Sequence, residues 1–336
     1  MNISKGVKQK ILIFSTAYLP FIGGAELAVK ETTERIRDIE FHMITARMSR
    51  NLSKIEQIGN VNVYRIGVGI PVVDKYWLAF LGHRFAQKLH KKNRYDLIWS
   101  IMASYGGFAA MFFKKKNLQT PFLLTLQEGD DPEYVKKRVS FLKSWFGRIF
   151  AGADYIQCIS RFLADWARQN GATCPIEVVP NGVDLDKLKA KSEKRKTNEK
   201  IIITTSRLVH KNGIDILIRA AVKLKKIAPD LSFKVKILGS GPDEKKLKNL
   251  SRKLEVDDIV HFLGHIEPEK VYDYLAQADI FVRPSRSEGL GNSFLEAMAA
   301  GIPIIGTPVG GIPDFLEDRK TGLFAKVNDS QDLVLK

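Results

Sequence analysis

Short apolar runs alternate with helical patterns along most of the chain. Runs such as ILIF (11–14), LIWSI (97–101) and FLLTL (122–126) are each followed by a longer stretch with apolar residues at helical spacing. Strands that are buried on both faces of a parallel sheet are continuously apolar, and alternation of strand and helix is typical of doubly wound sheets. The pattern therefore predicts an α/β fold.

The alternation stops at residues 185–200, LDKLKAKSEKRKTNEK, which are strongly charged, and it restarts at KIIITTS (200–206). We predict two Rossmann-like domains, 1–185 and 186–336, joined by this linker. Ligands of such sheets bind at the carboxyl ends of the strands, so the cleft between two facing domains is the expected site. Asp329 or Ser330 would cap a helix that has barely begun, so the second domain is expected to lack its last helices.

Composition agrees with this organisation. The 336 residues suit two domains, and 45% apolar with 27% charged residues indicates a globular protein. We expect no secretory signal and no membrane span, because the apolar runs are too short. Cys158 and Cys174 form no motif and fit a reducing, cytoplasmic setting. A net charge of +16 favours an anionic partner.

The most informative stretch follows the strand pattern IFVRPS (280–285). The loop RSEGLGN (286–292) leads into the helix pattern SFLEAMAA (293–300). Glycine amides and a helix N-terminus favour phosphate, whereas carboxylates beside them suit sugar and ribose hydroxyls. Glu288 and Glu296 are therefore candidate binding residues. As a loop acid, Glu288 is expected to matter far more for activity than for stability. The alternatives are a solvated loop acid for Glu288 and a capping box with Ser293 for Glu296.

The longer stretch EGLGNSFLEAMAAGIPIIGTPVGGIPDFL (288–316) resembles the acid–seven residues–acid signature of the retaining glycosyltransferases of family 4, which have the GT-B fold. The resemblance implies that Glu288 contacts the donor sugar and that Glu296 holds the nucleotide ribose. It also implies that amides of the connecting residues lie near the sugar and phosphates. These residues are Gly289, Leu290, Gly291, Asn292 and Ser293.

Two further loops fit a diphosphate. Gly23 and Gly24 follow the first strand in PFIGGAE (20–26), which resembles the N-terminal glycine loop of the family; a plain tight turn is the alternative. Arg207 and Lys211 lie in SRLVHKNGID (206–215), where the resemblance implies a clamp on the leaving diphosphate.

The second of these loops departs from the family pattern. Many relatives carry lysine immediately before the glycine, whereas Asn212 occupies that position here. Arg207 is therefore the stronger candidate of the pair. A surface basic pair remains the alternative.

A second departure lies in LLTLQEGDD (123–131). Many relatives have a sugar-facing histidine where this chain has Gln127, which cannot act as a charged acid. Gln127 is a candidate sugar-facing residue, and the adjacent Glu128 and Asp130 are candidates for acceptor recognition. A negative cap for a helix near Pro132 is the alternative interpretation.

Two basic amphipathic stretches, 74–94 and 134–150, mix Trp, Phe and Leu with Lys and Arg. Such stretches suit a helix lying on an anionic membrane surface, but their aromatic residues could equally pack into the domain.

The expected function is retaining, metal-independent glycosyl transfer from a nucleotide-diphosphate sugar, without a further cofactor. The acceptor would be a glycan or a lipid-linked glycan in polysaccharide, lipopolysaccharide or glycolipid synthesis, at the cytoplasmic membrane face. The alternatives are a nucleotide-sugar epimerase of the same fold and a non-catalytic membrane-binding relative. Nucleic acid is not expected, and Gly239-Ser240-Gly241 lacks the third glycine of a nicotinamide fingerprint.

Overall fold

The computed structural model describes residues 8–138, 142–186 and 198–336. The chain forms two compact units, Met1–Pro180 (unit 1) and Asn181–Lys336 (unit 2). Most of the linker predicted at 185–200 lies outside the described residues. Each unit is built on a largely parallel sheet with helices in the connections, so the α/β fold class predicted from the alternation is confirmed.

Unit 1 contains an eight-stranded sheet with the order β3-β4-β2-β1-β5-β6-β7-β8. Its pairs are parallel except for β3 with β4. The strands are β1 Gln9–Phe14, β2 Ile39–Ala46, β3 Ile55–Ile58, β4 Val61–Ile66, β5 Leu97–Ile101, β6 Phe122–Leu126, β7 Tyr155–Cys158 and β8 Ile176–Val178. The helices are α1 Gly24–Arg35, α2 Pro71–Asn93, α3 Tyr105–Lys114, α4 Pro132–Arg138, α5 Lys143–Ala151 and α6 Arg161–Gln169.

Unit 2 contains a six-stranded parallel sheet with the order β11-β10-β9-β12-β13-β14. The strands are β9 Lys200–Thr205, β10 Phe233–Leu238, β11 Val260–Gly264, β12 Ile280–Val282, β13 Ile304–Gly306 and β14 Leu323–Phe324. The helices are α7 Ile214–Ile227, α8 Glu244–Lys253, α9 Pro268–Leu275, α10 Asn292–Ala299 and α11 Ser330–Val334. Single 3-10 turns occupy His210–Asn212 and Ile312–Asp314.

Strand β9 shows why these runs are apolar. Ile201 and Ile203 lie in a buried cluster with Phe294 of α10, whereas Ile202, between them, packs on the opposite face with Leu217 of α7. Both faces of the sheet are therefore covered, and the residues of β9 after the exposed Lys200 are buried or partly buried.

The amphipathic stretches fall on separate helices. Residues 74–94 lie almost entirely within α2, and residues 134–150 contribute to α4 and α5, with 139–141 outside the described ranges. In the part of the chain that the structure describes, no helix combines the length and apolar character needed to cross a bilayer.

An aspartate just before a strand sets the register of three strand pairs. In each case its backbone N–H donates to the neighbouring strand, and its carboxylate accepts the N–H of the same neighbouring residue. The pairs are Asp96 with Lys10, Asp154 with Phe122, and Asp279 with Ile201, with carboxylate bonds of 2.8, 2.7 and 2.7 Å. Both units thus begin strands with the same side-chain bond.

We expect Asp279→Ala to lower the free energy of unfolding by about 1–2 kcal/mol, because it leaves the Ile201 N–H without its acceptor. Asp279→Asn, which keeps an acceptor oxygen, should cost less. Urea denaturation measures both, and Asp257→Ala, at an exposed position, is the control. Equal stability of the alanine variants at 279 and 257 would contradict this role.

Candidate functional site

Three loops meet at one edge of the unit 2 sheet. Residues 206–213 follow β9, residues 283–291 follow β12, and residues 307–311 follow β13. These strands are adjacent and parallel, so their carboxyl ends point to the same edge. This edge is where a parallel α/β sheet binds its ligands. The loops after β9 and β12 carry Arg207, Lys211 and Glu288, and Glu296 lies on the helix that the second loop enters.

The first two loops are tied to each other. Gly213 has a φ of +69°, and a Cβ there would lie 1.9 Å from the Pro284 carbonyl oxygen, so only glycine fits. Arg286 reaches from the second loop and binds both carboxylate oxygens of Asp215 at 2.8 Å. Its Nη1 also donates to the His210 carbonyl at 2.7 Å. The loop that carries Arg207 and Lys211 is therefore held against the loop of Glu288.

Asn212 explains the departure from the family pattern in structural terms. It is buried, and its Nδ2 donates to the Arg207 carbonyl at 2.6 Å, inside the turn that precedes α7. The amide thus holds the loop. The Arg207 side chain is exposed, and Lys211 is partly buried.

The third loop packs against the backbone of Glu288. Gly310 has a φ of +56°, and a Cβ there would lie 1.7 Å from the Glu288 carbonyl oxygen. The Gly311 N–H donates to the same oxygen at 3.3 Å. The paired glycines in the GGIPD segment therefore allow this loop to pack directly on the backbone that presents the acid.

Arg283 is a site residue that the sequence reasoning missed. Its guanidinium forms an ion pair with Glu288, and the side chains are only 7% and 12% exposed. The signal was a charged residue directly after the apolar strand IFV, where a buried position is expected. The alternative of a solvated loop acid is wrong for Glu288, because its side chain is largely buried in this ion pair. Removing Glu288 would leave a buried guanidinium without its counter-charge.

The capping box suggested for Glu296 is wrong. Helix α10 begins at Asn292 with Gly291, at φ +97°, as its cap, so Ser293 already lies inside the first turn. The Ser293 hydroxyl instead accepts a 2.5 Å hydrogen bond from Arg283 Nη1. The helix begins before Ser293, with Gly291 in the left-handed conformation at its cap. The S-x-x-E pattern therefore does not coincide with the start of the helix.

Glu296 is consequently available for another role. Burial raises its pKa to about 7, and the nearby positive charge of Arg283 opposes part of that rise. A carboxyl group with a pKa raised toward neutrality, on the helix that begins where these loops meet, is a candidate binding residue. Asn292, at the start of the same helix, receives a 3.2 Å hydrogen bond from Asn181.

The remaining predicted residues belong to unit 1. Gly23 precedes the first turn of α1 in an extended conformation, and Gly24 is the first residue of the helix, just beyond the carboxyl end of β1. Gln127 and Glu128 follow β6, which ends on the same edge of the unit 1 sheet. All four residues thus lie in the connections that follow β1 and β6 within their own unit.

Glu128 is buried and holds a neighbouring loop. Its Oε1 accepts the Ala103 N–H at 2.5 Å, in the loop between β5 and α3. The acid at the start of α4 is Asp131, whose Oδ1 accepts the backbone N–H groups of Glu133 and Tyr134 at 2.8 and 3.3 Å. The capping interpretation of Glu128 is therefore wrong.

Comparison with known proteins covers nearly the whole chain. Residues 22–187 match the family described as Glycosyltransferase Family 4, and residues 186–336 match the family described as Glycosyl transferases group 1. An uncharacterized glycosyltransferase of Methanocaldococcus jannaschii is 28% identical over 325 residues, which cover 96% of this chain and 86% of that protein.

Two further comparisons refine the picture. A GDP-mannose-dependent phosphatidylinositol monomannoside mannosyltransferase of Mycolicibacterium smegmatis is 32% identical over 191 residues, 52% of this chain and 50% of that enzyme. The structure of sucrose-phosphate synthase from Thermosynechococcus elongatus superposes with a TM-score of 0.80 at 19% identity, covering 97% of this chain and 88% of the other. The fold predicted from the motifs, GT-B, is confirmed.

The raised pKa of Glu296 leads to a prediction about pH and stability. The native state favours the protonated form of Glu296, so ionising this side chain destabilises the folded protein. This destabilisation is absent below about pH 4.5 and complete above about pH 7. We therefore expect Glu296→Gln to stabilise unit 2 relative to the wild type by about 1–3 kcal/mol at pH 8 and by little at pH 4.5.

Urea denaturation across this pH range measures the difference. Glu269→Gln, exposed on α9, is the matched control. A stability difference between wild type and Glu296→Gln that does not change with pH would contradict the assignment.

Proposed function

Because this chain belongs to the group 1, family 4 glycosyltransferases with the GT-B fold, we propose that it transfers a sugar from a nucleotide-diphosphate sugar to an acceptor hydroxyl with retention of configuration. The observation that carries the proposal is the shared edge of unit 2. There the Glu288 loop, the start of α10 and the Arg207 loop are locked together. A glycan or a lipid-linked glycan is the proposed acceptor.

The proposed donor contacts follow from the chemistry of these groups. Carboxyl oxygens accept hydrogen bonds from sugar and ribose hydroxyls, so Glu288 would bind the sugar and Glu296 the ribose. The amides of residues 289–293 lie between the two acids, where the loop enters α10. A helix N-terminus with glycine-rich amides is suited to the phosphates that connect sugar and ribose.

The departing diphosphate would be stabilised by protein charges. Arg207 offers an exposed planar fork and Lys211 an ammonium group, both on a loop fixed by Asn212 and Arg286. Preorganised charges of this kind stabilise developing negative charge without reorganisation, and we propose that they do so without a metal ion. With retention, the leaving phosphate would accept the proton of the attacking acceptor hydroxyl on the same face of the sugar.

We further propose that unit 1 rests on an anionic membrane surface, at the cytoplasmic face. One exposed stripe of α2 begins with Val73, Trp77 and Phe80, at 45%, 38% and 36% exposure, and continues with Arg84 and Lys88. Aromatic residues followed by basic ones suit the boundary between acyl chains and headgroups. The named lipid acceptor of the mycobacterial relative is consistent with such a location.

A second aromatic and basic group in unit 1 has the same character. Trp145 of α5 is 37% exposed and packs against Phe112, with 5.2 Å between the two ring centroids. The guanidinium of Arg148 lies 5.5 Å from the Trp145 ring, and the Lys115 ammonium lies 5.8 Å from it. Cations held over an exposed indole are suited to the interfacial region of an anionic bilayer.

Two measurements test the donor proposal. Thermal-shift screening with UDP-, GDP- and ADP-sugars should show selective stabilisation by one donor class. With that donor, Glu288→Gln should lower kcat by about 10²-fold or more, because the sugar loses its charged partner. Glu317→Gln, in an exposed loop, is the control.

Two results would contradict the proposal. Unchanged turnover of Glu288→Gln would remove this acid from the sugar site. Labelled donor incubated without acceptor should keep its sugar, and conversion to an isomeric nucleotide sugar would instead identify an epimerase.

The membrane proposal predicts that Trp77→Ser combined with Phe80→Ser weakens binding to vesicles of 30% phosphatidylglycerol in phosphatidylcholine by roughly tenfold, through lost apolar burial. Leu231→Ser, at an exposed position of unit 2, is the control. Vesicle co-sedimentation measures the partition. Equal partition of the double variant and the wild type would contradict a role for this stripe.

A further inference from the structure

Arg283 holds an unusual position in the candidate site, since it is charged and buried yet lies beside the residues proposed to bind the donor. We propose that Arg283 is a positioning residue that holds the Glu288 carboxylate in place and orients it toward the donor sugar. This inference rests on the proposed function and deepens it, because it names the group that makes Glu288 an effective sugar ligand.

The guanidinium is fixed on every side. Besides the bond to Glu288, Nη1 donates to the Ser293 hydroxyl at 2.5 Å and to the Thr205 carbonyl at 3.2 Å. Nε donates to the Ser285 hydroxyl at 3.2 Å. These partners lie at the end of β9, just after β12 and at the start of α10. The Arg283 side chain is thus held by three separate elements, and it binds and orients one carboxylate, that of Glu288.

The packing beneath the guanidinium adds a further constraint. The Phe294 ring lies 5.1 Å from the guanidinium carbon, and Phe294 is itself fully buried against Phe281 and Phe315. A side chain held by an aromatic ring on one side and by four acceptors around it has little freedom to turn. Arg283 is therefore poorly placed to follow a departing diphosphate, a task suited to the exposed Arg207.

The charges around Arg283 explain why the site needs it. Glu288 and Glu296 would otherwise place two acids beside the position proposed for an anionic diphosphate. Burying a carboxylate favours its neutral form, and an adjacent guanidinium restores the ionised form. Arg283 forms the direct pair with Glu288 and interacts electrostatically with Glu296. The charge of the proposed sugar-binding acid is therefore balanced within the protein, beside the position proposed for the diphosphate.

The geometry also explains why lysine would be a poor substitute. The acceptors of Glu288, Ser293, Thr205 and Ser285 surround a planar fork with donors on three nitrogens. An ammonium is a single point with a shorter reach and cannot serve the same set. Arg283→Lys keeps the charge but loses the orientation, so the two contributions can be separated.

The test combines binding with a double-mutant cycle. We compare Arg283→Met, Arg283→Lys, Glu288→Gln and the Met/Gln double variant, and measure Kd for the matching nucleoside diphosphate and nucleotide sugar together with kcat. Val282→Ala, which removes packing from the preceding buried residue without touching charge, controls for lost stability.

We expect Arg283→Met to lower kcat by about 10²-fold, because the Glu288 carboxylate is no longer preorganised. The variant should also bind the nucleotide sugar no more tightly than the nucleoside diphosphate. Its affinity for the nucleoside diphosphate should change by less than about threefold, since the phosphate clamp is intact. Adding Glu288→Gln to Arg283→Met should cost little more, because both changes remove one unit. Arg283→Lys should restore only part of the loss.

Three outcomes would overturn the inference. The first is an Arg283→Met variant with normal kcat and an unchanged ratio of the two Kd values. The second is an equal loss of affinity for the nucleoside diphosphate and the nucleotide sugar. The third is a double variant whose loss equals the sum of the losses of the two single variants. If Arg283→Met does not fold, Arg283→Lys enters the same cycle with the same expected non-additivity. A wild-type chain that binds nucleoside diphosphate but no nucleotide sugar would instead refute the proposed function on which the inference rests.

Discussion

The buried ion pair between Arg283 and Glu288 is the interaction around which unit 2 organises its functional edge. A guanidinium taken out of water must be compensated by charge and by hydrogen bonds. Here the compensation comes from an acid in the following loop, two hydroxyls and a strand carbonyl. The pair therefore fixes, in one step, the end of β12, the glycine-rich loop and the start of α10.

Glycine is what allows the neighbouring loops to approach this pair. Gly213 lets the Arg207 loop contact Pro284, and Gly310 lets the loop after β13 rest on the Glu288 backbone. Any side chain at either position would collide with a carbonyl oxygen as well as strain the backbone. The close approach of the three loops thus depends on backbone contacts that glycine permits. The charged side chains are presented by these closely packed loops. Such preorganisation is what stabilisation of a departing diphosphate requires.

The sequence predicted the parts of this structure that depend on local pattern. Buried strands such as β1, β5 and β9 are continuous apolar runs, whereas β3 is short and largely exposed, and β14 contains two residues, so neither left a comparable signal. Glu288 and Glu296 were identified because they belong to a linear motif. The capping box failed because the backbone at Gly291 overrode a local match.

Arg283 escaped detection for a different physical reason. Its role is set by partners that come from three separate elements, and no linear pattern joins Thr205, Glu288 and Ser293. For the same reason the sequence did not reveal that Glu288 is paired with a buried cation. Tertiary electrostatics, unlike apolar periodicity, cannot be deduced from spacing alone.

The most direct test of the central claim, that this edge of unit 2 is the donor site, is hydrogen–deuterium exchange with and without a nucleotide sugar. Donor binding should slow amide exchange in residues 206–213 and 288–296, with the second segment responding more strongly to the nucleotide sugar than to the nucleoside diphosphate. Slowed exchange confined to other surfaces, such as the basic groove along α8 lined by Lys245, Lys248 and Arg252, would contradict the claim.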